Sequence, residues 1–142
     1  MAKVKAVQAA AAVFLATLAT GTAQAQAQEI ADCSNAMSQS EMTQCAHDDW
    51  QKADAELNAL YKKAMAKMRE ADDYLPDYLK GAADTLRDAQ RAWIPYRDKA
   101  CESYGFMARG GTMEPMLVYG CQADLTNQRI KELKDLVEGL GN

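Results

Sequence analysis

From Met42 onward, apolar side chains recur every three or four positions in three separate stretches, and the polar residues between them fall on other faces. Met42, Ala46, Trp50, Ala53, Leu57, Leu60, Ala64 and Met68 form the first stripe, with Lys52, Glu56, Lys63 and Lys67 off it. This is the pattern of a helix with one buried face. Ser38 and Glu41 stand just ahead of it as N-cap and N3 of a capping box, in which each side chain bonds an otherwise orphaned amide. The spacing predicts a helix from Ser38 to about Arg69. An acidic stretch from Glu70 to Leu75 without apolar period then predicts a tight reversal, with Pro76 as the first residue of a second helix.

That second helix places Leu79, Ala82, Ala83, Leu86, Ala89, Trp93, Ala100 and Tyr104 on its inner side and ends where Gly105, Gly110 and Gly111 collect. Pro95 lies inside it, lacks an amide for the carbonyl of Arg91, and predicts a kink rather than a break. Pro115 opens a third helix through Leu117, Cys121, Ala123, Leu125, Ile130, Leu133 and Val137, which Gly139 and Gly141 terminate. No Val/Ile/Thr-rich alternating segment appears, and helix formers dominate. The expected fold is all-α: an antiparallel bundle of three long helices with short connections.

The cysteines fit this bundle. Cys45 and Cys101 each lie about 27 residues from the reversal, so at about 1.5 Å per residue both sit about 40 Å from the same hairpin. Cys33 precedes the first helix and Cys121 lies early in the third, which gathers all four cysteines at one end, stapled there by two disulfides. Four cysteines allow three pairings, and spacing does not choose among them.

Upstream of every cysteine is an export-signal pattern. Lys3 and Lys5 form a positive start, Val7 to Leu18 is an apolar run broken by Gln8 and Thr17, and Ala-Gln-Ala steps end at Ala25 and Ala27. The expectation is a signal peptide over residues 1–25, cleaved after Ala25 or Ala27, an N-terminal extension over 26–37, and a helical domain over 38–138. The apolar run falls short of the roughly 20 residues a bilayer needs, and Ile30, Ala31 and Asp32 before Cys33 do not suit lipid attachment. A periplasmic or secreted product without a membrane anchor follows. Loss of Lys3 and Lys5 makes a chain of formal charge -4 more acidic still, which disfavours nucleic acid and suits either plain solubility or a basic protein partner.

Catalytic and cofactor chemistry is poorly represented. Zinc ligation needs nitrogen or sulfur donors at short spacing, whereas the chain has one histidine and widely separated cysteines. No C-x-x-C, haem-attachment or nucleotide-loop pattern occurs, and Gly110-Gly111 reads as a turn between helices. His47 beside Asp48 reads as a helix-surface histidine, with no nucleophile elbow accompanying it. Asp48/Asp49 and Asp72/Asp73 diverge as adjacent residues and read as solvated charge rather than a glycosidase pair. The expected protein has no cofactor, no metal and no catalytic residue. Counting from the cysteine end places Asp54, Trp93 and Arg129 in one layer, and predicts an Asp54 to Arg129 ion pair packed beside Trp93 as a registry device.

Taken in order, Cys33, Ser40-Glu41-Met42-x-x-Cys45-Ala46, Ala53-Asp54-x-x-Leu57-Asn58-x-x-Tyr61, Ala89-Gln90-Arg91-Ala92-Trp93-Ile94-x-Tyr96-Arg97-Asp98-x-x-Cys101, Gly110-Gly111-Thr112 and Cys121-x4-Thr126-x-x-Arg129-x3-Leu133 resemble the LprI-type lysozyme-inhibitor domain family. The resemblance implies a disulfide-bonded envelope protein that binds and inhibits c-type lysozyme. The alternative is a periplasmic accessory module with a different protein partner. The family's inhibitor label comes from a mycobacterial lipoprotein, whose lipid-attachment sequence this chain lacks. Inhibition would need a protrusion, and the connection from Gly105 to Glu114 supplies Phe106, Met107, Arg109, Gly110, Gly111, Thr112 and Met113 as the partner-binding loop. Its apolar residues either anchor a contact or cap the cysteine end of the core. Gln90, Trp93, Tyr96 and Arg97 read as core and registry. Tyr74, Tyr78 and Leu79 at the hairpin offer a second patch.

Overall fold

A computed structural model describes residues 33–139, so the leader and most of the N-terminal extension lie outside the described residues. Three helices make up the domain: α1 over Gln39–Asp73, α2 over Ala82–Gly105 and α3 over Glu114–Glu138. Single 3-10 turns, Asp77–Leu79 and Phe106–Ala108, lie in the two connections, and no strand occurs among the described residues. The chain goes up, down and up, so α2 is antiparallel to both neighbours, and α1 packs most extensively on α3.

Local chemistry sets the helix ends. Ser38 Oγ accepts the Glu41 amide at 3.2 Å while the Glu41 carboxylate accepts the Ser38 amide at 2.9 Å, which completes the capping box. The Ser38 amide first, then the Ser38 side chain and the Met37 amide hold the Glu41 carboxyl below its usual range. α1 continues past Arg69 to Asp73. α2 then starts later than Pro76, because residues 77–79 form the 3-10 turn and Leu79 is left 55 % exposed. Its N-cap is Gly81, at φ +136°, which has no side chain to cap with. Asp72 does that job from across the hairpin: Oδ1 accepts the amides of Gly81 and Ala82 at 2.8 and 2.9 Å, and Oδ2 that of Ala83 at 3.1 Å. The helix dipole and these donors favour the charged form, and the Asp72 pKa is lowered, the Ala82 amide being the largest cause. α2 runs unbroken through Pro95.

Three strata follow one another along the bundle. Nearest the hairpin is the apolar core: Ala53, Leu57, Leu60, Ala64, Leu86, Ile130 and Leu133, with Tyr61, Met65, Met68, Trp93 and Val137 packed against it. Burying a leucine such as Leu57 or Leu133 contributes about 1.5–3 kcal/mol. Next comes a polar layer built on Arg97, Gln122 and Thr126. The far end is closed by the disulfides Cys33–Cys45 and Cys101–Cys121. The staples therefore sit where the apolar core has run out, and each closes a loop whose entropy loss stabilises by about 3 kcal/mol in the chain-entropy model.

The inner face of α2 departs from the apolar stripe. Its buried positions are Leu86, Gln90, Arg97, Cys101 and Gly105, with Trp93 partly buried between them, whereas Ala89 is exposed and Tyr104 is 49 % exposed. Two polar residues occupy the helical spacing that the apolar pattern assigned to neighbours. At Gly105 the reason for a small residue is geometric, since a Cβ there would lie 2.6 Å from Val118 Cγ2.

Candidate functional site

The polar layer is organised by Arg97, whose side chain is 7 % exposed. Its Nη1 donates to Asp54 Oδ1 at 3.0 Å and its Nε to Asp98 Oδ1 at 2.9 Å. The guanidinium also lies 5.6 Å from the Trp50 ring centroid and 5.2 Å from that of Trp93, within cation–π range of both. Gln122 Nε2 donates to the same Asp98 oxygen at 3.3 Å, which ties α3 into the layer. The ionic partner of Asp54 is thus Arg97 and not Arg129. Arg129 instead donates to Gln90 Oε1 at 3.1 Å and to Glu132 at 2.6 Å. Residue counting gave the height of Arg129 along the bundle but not the direction it faces around α3.

Beside this layer, His47 stands edge-on to Tyr119 at 4.9 Å and to Trp50 at 5.8 Å, while Trp50 and Tyr119 stack at 5.7 Å with planes 15° apart. His47 Nδ1 and Gln44 Nε2 both reach Asp48 Oδ1, at 3.4 and 2.8 Å. The ring cluster was not evident in the sequence because its members come from two helices. Asp48 is committed to these contacts and Asp72 to the α2 cap, so one member of each adjacent acidic pair has a structural partner. Among the described residues no group of three or more His, Cys, Asp or Glu side chains could hold a metal ion.

The loop between α2 and α3 emerges at the disulfide end and is firmly built. Phe106, Met107 and Ala108 form one 3-10 turn, and Gly110, at φ +75°, reverses the chain. Glu114 grips the reversal, accepting the Gly110 amide at 2.8 Å and Arg109 Nη1 at 2.5 Å. These donors, the Gly110 amide first, hold the Glu114 carboxyl below its usual range. Arg109 also covers one face of Phe106 at 4.5 Å. Phe106, Met107 and Met113 nonetheless remain 59, 66 and 46 % exposed, and Arg109, Gly110, Gly111 and Thr112 are exposed beside them. The loop presents apolar surface rather than burying it over the cystines. Alongside, a groove between α1 and α3 reaches the disulfides, with Met42, Met116 and Leu117 in its lining. At the opposite end Tyr74 and Tyr78 are 82 and 83 % exposed, and Tyr96 is 62 % exposed on the side of α2, away from the core position its motif suggested.

Fold and surface together define the class: a small, cystine-stapled three-helix domain in which buried Gln90, Arg97 and Gln122 bind its own helices to one another. The family model described as lysozyme inhibitor LprI matches residues 30–133, and the chain belongs to that family. An uncharacterized protein of Rhizobium meliloti (strain 1021) is 50 % identical over 137 residues, covering 94 % of this chain and 99 % of its own. No solved structure matches the chain. Among the described residues no helix is long and apolar enough to cross a membrane.

Proposed function

We propose that this is an exported, non-catalytic protein that binds c-type lysozyme in the bacterial envelope and blocks its action on peptidoglycan. Membership of the lysozyme-inhibitor family over residues 30–133 is the observation that carries this reading. The disulfides are consistent with an oxidising compartment, and the sequence reads as having a cleavable leader before Cys33. Residues Phe106 to Met113 are the contact loop in this reading: aromatic and methionine side chains held out on a clamped turn lose little entropy when a partner covers them. The acidic balance of the domain favours rapid approach to a basic enzyme.

The test is the turbidity loss of cell-wall suspensions under hen-type lysozyme, with purified oxidised protein titrated in. Saturable inhibition is expected, and Phe106→Ala/Met107→Ala weakens it without loss of helicity. Undiminished lysis at a large molar excess refutes the reading and leaves a different envelope partner as the alternative.

A further inference from the structure

The groove between α1 and α3 has a feature that the contact loop lacks. Its floor is apolar, with Met42, Tyr104, Met116 and Leu117 among the lining residues, and two carboxylates, Asp49 from α1 and Asp124 from α3, line it as well. Asp49 lies two helical turns beyond Met42, and Asp124 lies two turns beyond Leu117 on the parallel α3, so both acids stand toward the same end of the groove. Both are exposed, and neither has an ion pair or side-chain hydrogen bond. Most other carboxylates on the domain are engaged: Asp54 and Asp98 by Arg97, Asp72 by the α2 amides, and Glu114 by Arg109. The surrounding half of the molecule does not neutralise the pair either. Besides the pair, the first half of α1, the second half of α2, the loop and the start of α3 carry Glu41, Asp48, Asp54, Glu56, Asp98, Glu102 and Glu114 against Lys52, Arg97, Lys99 and Arg109.

An apolar trough with two carboxylates without ion-pair partners in the lining toward one end is complementary to one kind of side chain, a long aliphatic stem with a cationic head. The floor removes the stem from water while the head stays hydrated near the carboxylates, so the desolvation cost that penalises a buried ion pair is largely avoided. The lining methionines, Met42 and Met116, adapt to the stem without a fixed shape requirement. We infer that this groove is an anchor pocket for an arginine or lysine side chain presented by a protein partner, adjoining the contact loop and giving the domain its preference for basic partners. The inference deepens the lysozyme reading, on which the identity of the partner rests, but the chemistry of the pocket can be tested without lysozyme.

The probe is the peptide acetyl-Ala-Arg-Leu-Ala-amide, with citrulline replacing arginine in the control, titrated into the oxidised domain carrying labelled methionine methyl groups. Saturable shifts are expected at Met42 and Met116, with the citrulline peptide and the Asp49→Asn/Asp124→Asn variant each weakening binding about tenfold, as charge-assisted anchoring requires. Asp135→Asn, which removes one charge remote from the groove, leaves the titration unchanged. Absence of shifts at Met42 and Met116, or equal binding of the citrulline peptide, overturns the inference. A parallel titration with hen-type lysozyme separates the two readings. Loss of the peptide response with lysozyme still inhibited removes the pocket alone, whereas a normal peptide response with no lysozyme binding removes the lysozyme assignment alone.

Discussion

Replacing Arg97 by Met keeps an unbranched apolar stem between Trp50 and Trp93 and deletes the guanidinium that four groups share. Two opposing expectations exist for such a change. Substituting a buried ion pair with an apolar residue is often neutral or stabilising, because desolvation of the charges is relieved. Here the partners argue otherwise. Asp54 and Asp98 are 35 and 40 % exposed, so each Coulombic contact is screened toward the surface scale of about 0–1 kcal/mol, and each freed carboxylate is rehydrated. The two indole contacts, on a cation that is only 7 % exposed, add about 0.5–1 kcal/mol each. The net expectation for Arg97→Met is a loss of about 2 kcal/mol, which for a domain of this size lowers Tm by about 10 °C. Arg97→Lys retains charge but not the fork that reaches two carboxylates, and falls between. The chain's two tryptophans, Trp50 and Trp93, flank Arg97, so urea unfolding followed by fluorescence and by far-UV circular dichroism reads the same layer and the whole fold together. A double-mutant cycle completes the assay: Asp54→Asn couples to Arg97→Lys by about 0.5–1 kcal/mol and to Arg129→Lys by nothing measurable. Arg97→Met at or above parental stability, or an Asp54 to Arg129 coupling equal to that with Arg97, refutes the reasoning.

Other perturbations address the remaining strata. Gly105→Ala brings a methyl to 2.6 Å from Val118 Cγ2 and costs about 1–3 kcal/mol, and Val118→Ala in the same chain restores much of it in the same urea assay. Removing Cys101–Cys121, which closes a separation of 20 residues, as Cys101→Ala/Cys121→Ala lowers the unfolding free energy by about 3 kcal/mol, measurable by urea denaturation of the oxidised variant against the oxidised parent. Asp72, Glu41 and Glu114 all have folded pKa values below their ordinary ones. Their stabilisation is complete above the unfolded carboxylate range and is lost as pH falls through the lower folded values. Asp72→Asn therefore flattens the acid limb of a stability–pH profile and lowers stability at neutral pH, and an unchanged acid limb would contradict the cap assignment.

What the sequence disclosed depended on whether a feature is local. The capping box at Ser38 and Glu41, the apolar stripe of α1 and the gathering of the cysteines at one end are properties of spacing along the chain, and each stands in the structure. The N-terminus of α2 is not local: its cap is Asp72, on another helix, while Pro76 merely opens a 3-10 turn. The apolar stripe misjudged the inner face of α2 at Ala89 and Tyr104, which are exposed, whereas Gln90 and Arg97, read from the family motif as core and registry, are buried and satisfied by Arg129 and by Asp54 and Asp98. Residue counting gave axial height but no rotation, so Arg129 was assigned a partner that belongs to Arg97. Likewise the α1–α3 groove joins Met42 and Asp49 to Leu117 and Asp124, a conjunction that no single segment displays.

The disulfide end as the working end is the central claim, and hydrogen–deuterium exchange on the oxidised domain, alone and with saturating hen-type lysozyme, tests it most directly. Protection confined to the Phe106 to Met113 loop and to the groove residues around Met42 and Leu117 is the predicted result. Protection at the Tyr74 to Leu79 hairpin in its place, or no protection anywhere, contradicts it.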